Sequence, residues 1–130
     1  MLFRKEKEVL VIYKFLTNDH EIWFEELCKR DQAHIKDYER RALFYVISGN
    51  GTLYKNVNSI YDFEDNSIRL EVFNEPFLTG GTRCLINLAF NLYNASSADC
   101  SINHLFSPLD EKNRKLAIQA IKLRFNIPVG

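Results

Sequence analysis

A chain of 130 residues with 17 basic and 17 acidic side chains has no net charge. The length suits one ordinary domain, able to bury roughly two thirds of its unfolded surface. The charge balance argues against a dedicated nucleic-acid binder, because such proteins draw most of their affinity from a basic excess that neutralises phosphates. Three cysteines, Cys28, Cys84 and Cys100, are too few and too widely spaced for a zinc site or a disulfide framework. The expectation is reduced thiols in a cytosolic, soluble protein.

At the N-terminus, MLFRKEKEVLVIYKF places charge before a short apolar run that ends at Lys14, with no small-residue cleavage site behind it. A signal peptide has such a site, and a bilayer span needs roughly 20 apolar residues. Over Lys5–Phe15 the β-branched run suits a strand, while the length and flanking charges suit a helix, and both readings stay open. Next, TNDHEIWFEELCKR predicts a helix over Asn18–Arg30. Thr17 or Asn18 serves as cap, acids fill the first turn and Lys29-Arg30 the last, as the helix dipole favours. Ile22, Trp23, Leu27 and Cys28 are expected on its buried face. His20 is expected in solvent.

DQAHIK reads as a linker. The central helix follows in DYERRALFYVIS, with Asp37 as N-cap and Glu39 in the first turn. Ala42 to Ile47 carry no polar group but the Tyr45 hydroxyl, and a helix apolar on all sides is buried on all sides. Arg40 and Arg41 at its start then need partners, expected from the acidic middle of the chain. The helix runs into SGNGT. A phosphate loop of the Walker type requires a Gly-Lys-Ser/Thr end, and the dinucleotide fingerprint requires a third glycine, and both are missing. Gly49 is read as the left-handed residue that ends a helix, and Asn50-Gly51 as a turn.

From Asn56 to Thr79 the acids Asp62, Glu64, Asp65, Glu71 and Glu75 face a single Arg69. Asn, Ser and Pro76 predict short helical turns and ordered loops. YDFEDN lacks the ligand order of a calcium hand, so its functional reading is an acidic surface for a basic partner. Beyond TGGT, a helix is expected over Thr82–Asn94 with Leu85, Leu88, Ala89 and Leu92 as its stripe. Gly80, Gly81, Thr82 and Arg83 are either an anion-binding helix start or a simple Thr82 cap. ASSADCSIN reads as a loop. The last helix begins near Asp110 and stops before Pro128. Its Lys112, Arg114, Lys115, Lys122 and Arg124 either match the dipole or face an acidic partner or nucleic acid.

His20, His34 and His104 have no metal-ligand spacing. An enzyme would require His20, Asp37, Arg40 and Tyr61 to converge in a cleft. The fold expected is mainly α, a single domain over 1–130 forming an irregular or orthogonal bundle of about four to six helices. A short N-terminal strand and an extension over 1–14 remain open.

The segments FLTNDHEIWFEELCKR, DYERRALFYVISGNGTLY, IYDFEDNSI, LINLAFNLYN and FSPLDEKNRKLAIQAIKLRF resemble a small family of bacterial and phage proteins catalogued only as a domain of unknown function. The resemblance covers Phe15 to Phe125 and leaves Met1 to Lys14 outside the pattern. It implies a bacterial or phage origin and a compact domain, and it lends no site residues. The expectation for function is a non-catalytic module that binds another protein. Its candidate face is Tyr61, Asp62, Glu64 and Asp65, joined by Asp37 and Arg40 if the chain folds back. No cofactor, metal or membrane contact is expected, and nucleic acid is disfavoured.

Overall fold

Thr17 starts the first long helix, its Oγ1 accepting the His20 amide at 3.0 Å. This helix, α1, spans Asn18–Asp31 in a computed structural model that describes residues 14–94 and 101–128. Of the N-terminal segment read as strand or helix, only Lys14 and Phe15 are described, and neither is helical or extended in a sheet; the rest lies outside the described residues. The buried face of α1 is His20, Phe24, Leu27, Cys28 and Asp31, a stripe at helical spacing. The expected face was turned too far. Ile22 is 61% exposed, and Trp23 lies on the flank, where its indole stacks on Tyr54 with centroids 4.4 Å apart. The stripe begins and ends on polar residues, His20 and Asp31, so reading it from apolar side chains alone rotates it.

The next helix, α2, spans Tyr38–Ser48, with the Asp37 carboxylate accepting the Arg40 amide at 3.0 Å. Every residue from Ala42 to Ser48 is buried, as a helix without a polar face demands. Gly49 follows with φ −88° and ψ 0°, a conformation open to any residue, which corrects the left-handed stop expected there. Asn50 then caps a new short helix, α3 over Gly51–Lys55, through Oδ1 and the Leu53 amide at 3.1 Å. The glycine stretch is a stop followed at once by a restart.

Short elements follow: α4 over Val57–Ile60, strands β1 (Tyr61–Asp62) and β2 (Ser67–Ile68), and a 3₁₀ turn over Leu70–Asn74. The strands pair antiparallel, Tyr61 opposite Ile68 and Asp62 opposite Ser67. Helix α5 spans Gly80–Asn94 and buries the expected stripe together with Ile86 and Phe90. It starts before Thr82, whose hydroxyl accepts the Thr79 amide at 2.9 Å from within the first turn instead of capping it. Helix α6, Ile102–Phe106, occupies part of the stretch expected to be loop, and Cys100 lies outside the described residues. Helix α7 spans Glu111–Arg124 on an Asp110 cap and buries Leu116, Ala117, Ala120 and Leu123.

The four long helices build the core: α2 runs through it in contact with α1, α5 and α7, and α5 also meets α7. The result is a mainly α, compact single domain, with seven helices among the described residues. Three of these, α3, α4 and α6, are only four or five residues long, too short to stand without tertiary packing.

Candidate functional site

Two of the proposed partner-binding residues, Arg40 and Tyr61, meet at a residue that the sequence reading had assigned to a linker. Asp31, the last residue of α1, has a side chain with 0% exposure. Its Oδ2 lies 3.1 Å from Arg40 Nη1 and accepts the Tyr61 hydroxyl at 3.0 Å, while Oδ1 accepts Asn66 Nδ2 at 2.6 Å. Arg40 also approaches Asp37 Oδ2 at 3.4 Å. A carboxylate removed from water is tolerated only when paired and hydrogen-bonded, and here one cation and two donors surround it. Burial first, and then the Asp31 carboxylate, push the Tyr61 pKa up, so its hydroxyl keeps the proton it donates.

This anchor ties the β1–β2 hairpin to both α1 and α2. Within the hairpin, Asp62 Oδ1 accepts the amides of Glu64 at 2.9 Å and Asp65 at 3.1 Å, and Asn66 takes the left-handed conformation at φ 53°. Such side-chain turns are what Asx residues are suited for. The Asp65 amide first, then the Glu64 amide and Arg69 at 3.3 Å, hold the Asp62 carboxyl below its ordinary range against the opposing effect of desolvation. Phe63 stacks on Phe44 at 5.8 Å, meets Tyr61 edge-on at 5.0 Å, and is covered by the Arg30 guanidinium 3.9 Å from its centroid. Glu64 and Asp65 project from this clamped tip, both exposed, and neither makes an ion pair among the described residues.

For Arg40 the expected pairing with the acidic middle region is therefore corrected. Arg40 pairs with Asp31 and Asp37, and Arg41 lies over the Phe24 ring at 5.1 Å. The hairpin contributes neutral donors to the anchor, because its own acid Asp62 is already matched with Arg69.

His20 sits elsewhere, eleven residues back on the same helix, about 16 Å along its axis. It is 2% exposed, which corrects the expectation that it is solvated. Its Nδ1 accepts the Leu16 amide at 3.1 Å and its Nε2 contacts the Tyr45 carbonyl at 3.0 Å. Only the neutral ring protonated at Nε2 satisfies both bonds. Burial, opposed by the Tyr45 carbonyl and aided by Lys112, lowers its pKa from 6.5 to about 4. The unfolded chain thus takes up a proton that the folded chain resists. The stability that depends on neutral His20 is complete above about pH 6.5 and drains as the pH falls toward 4. His20, Asp37, Arg40 and Tyr61 do not converge in one cleft.

At the start of α5, Gly80 and Gly81 form the first helical turn. Arg83 turns back to donate to the Phe73 carbonyl at 3.1 Å, so its charge is engaged within the fold. On α7, Arg114 donates to the carbonyls of Phe106 at 3.1 Å and Ser107 at 3.2 Å. Arg124 donates to Leu92 O at 2.7 Å and reaches Glu39 at 3.4 Å. Lys115 pairs with Glu111 at 3.4 Å. Two of the five basic residues, Arg114 and Arg124, thus fasten this helix to its neighbours. Cys28 carries a free thiol, and burial pushes its pKa up to about 12, which keeps it in the unreactive protonated form. Among the described residues no three of His, Cys, Asp or Glu gather as a metal set, and no helix is long and apolar enough to cross a membrane.

The residue missed by sequence reading is Asp31. Its signal was faint but present: it stands one turn beyond Leu27 and Cys28 in line with the buried stripe. The partners that make it an anchor come from 30 and 35 positions away.

No curated protein and no solved structure matches the chain. The profile of a family of unknown function, DUF6075, matches residues 11–129. That span begins within the N-terminal stretch read as additional and otherwise takes in the whole anchor, hairpin and helical core. The chain belongs to this family of unknown function.

Proposed function

We propose that the protein is a non-catalytic interaction module that binds a basic face of another protein through Asp62, Glu64 and Asp65. Asp37, Arg40 and Tyr61 act in this by holding the hairpin in place. The observation that carries the reading is the clamped tip. Glu64 and Asp65 are exposed acids without ion pairs among the described residues, on a turn fixed by Asp31, Asn66, Phe44 and Arg30. A preorganised loop loses little freedom on binding, and uncompensated charge steers an oppositely charged partner. In the bacterial or phage setting that the family resemblance implies, the partner is a bacterial enzyme that the protein inhibits or regulates.

The test is capture of the tagged protein's partner from the source cells, followed by titration of the identified complex. Glu64→Lys/Asp65→Lys is expected to weaken binding by about tenfold or more, mainly through association rate, with an effect that shrinks as salt rises. Glu75→Lys, an acid outside the tip, serves as the control. Equal affinity of the tip variant and the parent would remove the hairpin from the interface.

A further inference from the structure

The segment before α1 is fastened to the core by three contacts that converge on His20 and Tyr45. The Leu16 amide donates to His20 Nδ1 at 3.1 Å. The Tyr45 hydroxyl donates to the Lys14 carbonyl. Phe15 packs edge-on against the His20 ring at 5.1 Å and lies 5.4 Å from Phe24 and 5.9 Å from Tyr45. One of these contacts exists only for an uncharged imidazole, because an imidazolium has no lone pair left for the Leu16 amide.

Among the described residues the surroundings offer such a cation one acceptor, the Tyr45 carbonyl, and no carboxylate. From α2 the facing group is Tyr45, which presents its ring and carbonyl. From α7 the charged neighbour is Lys112. Lys14, Lys112 and Lys115 line one groove of about 1020 Å³ with Phe15 and Leu16, next to the acids Asp110 and Glu111. Asp110 is engaged as the α7 cap at 2.8 Å and Glu111 with Lys115 at 3.4 Å. On α1 itself the nearby acids Asp19 and Glu21 are exposed. Among the described residues, charge on His20 would therefore be buried without a carboxylate partner and repelled by Lys112.

We propose that His20 is an acid-operated latch: when its ring takes up a proton, Lys14–Leu16 detaches from α1 and α2 while the helical core stays folded. Local release is the cheaper response. Freeing three residues hydrates the imidazolium, whereas unfolding forfeits the whole core. The Tyr45 carbonyl keeps other donors when His20 leaves, namely Ser48 Oγ at 3.2 Å and the Gly49 amide at 3.2 Å. Release uncovers the Phe24 and Tyr45 rings and opens the wall that Phe15 and Leu16 give to the α7 groove.

Amide hydrogen exchange on the full chain, corrected for intrinsic rates and read from pH 7.5 to 4.5, tests this. The Leu16 amide is expected to lose protection about tenfold per pH unit below about pH 6, the slope of one coupled proton. The amides of Leu88 and Ala89 inside α5 share that proton coupling through global unfolding but are expected to stay protected well above Leu16 at every pH, because they open only with the whole core. In His20→Gln, whose amide can accept from Leu16 and donate to Tyr45, the Leu16 slope is expected to vanish. The His20 ring resonance of the parent protein is expected to titrate near pH 4, where the latched ring takes up its proton. A flat Leu16 profile, Leu16 protection equal to that of Leu88 and Ala89 across the range, or a slope that survives in His20→Gln would each overturn the latch.

Discussion

Arg40→Met is expected to lower the unfolding free energy by about 3 kcal/mol, toward the low end of what breaking a buried ion pair removes. The substitution leaves the Asp31 carboxylate at 0% exposure with two hydrogen-bond donors but no cation. The guanidinium itself is 26% exposed, and this partial solvation is why the upper end of the range is not reached. Tyr61→Phe removes one bond to the same carboxylate and is expected to cost about 1.5–3 kcal/mol. Urea unfolding at neutral pH reads both. In a double-mutant cycle, Arg40→Met and Tyr61→Phe should couple, because they share Asp31. A loss under about 1 kcal/mol for Arg40→Met would class the pair with exposed salt bridges and remove the anchor from the account of the hairpin. Binding through Glu64 and Asp65 should weaken in the same variant, since the tip then loses one of its ties.

Gly49→Ala is the second large effect. A Cβ built there falls 2.2 Å from Leu116 Cδ1, 2.9 Å from Leu116 Cδ2 and 3.1 Å from His20 Cε1. Leu116 is fully buried, so its methyl groups have no open space to move into, and close-packed interiors absorb such an intrusion badly. The expected loss is about 1–3 kcal/mol from overpacking. It stands against the gain of up to about 1 kcal/mol that alanine normally gives at a right-handed position by restricting the unfolded chain. The sign of the measured change decides which effect wins. At Gly51, where a Cβ meets nothing within 4 Å, the same substitution is expected to be neutral or slightly stabilising. Thermal melts of the two alanine variants side by side separate the steric reason for Gly49 from a conformational one. If Gly49→Ala melts no lower than Gly51→Ala, the α2–α7 approach is looser than the geometry states.

These two sites also mark where sequence reading succeeded and where it stopped. Asp37, Thr17 and Asp110 are caps that a few neighbouring residues specify, and the long helices followed from them and from apolar spacing, whereas Asn50, read as part of a turn, caps the short α3. The six apolar residues from Ala42 to Ile47 determined that α2 is the core element, because a helix without a polar face has nowhere else to go. The acid-rich middle determined that short ordered pieces would replace a long element there. All of these are local facts, resolved within one or two turns of chain.

What only the tertiary structure decided is which polar residues are buried and why. Asp31 and His20 carry the same local signals as the solvated residues beside them. Their burial depends on Arg40, Tyr61 and Asn66 in one case and on Leu16 and Tyr45 in the other, groups brought together by packing. Gly49 likewise shows no strain in its own backbone, and its reason is a leucine on α7. Desolvation and close approach depend on the whole surrounding volume, whereas a sequence window sees only the residues along the chain.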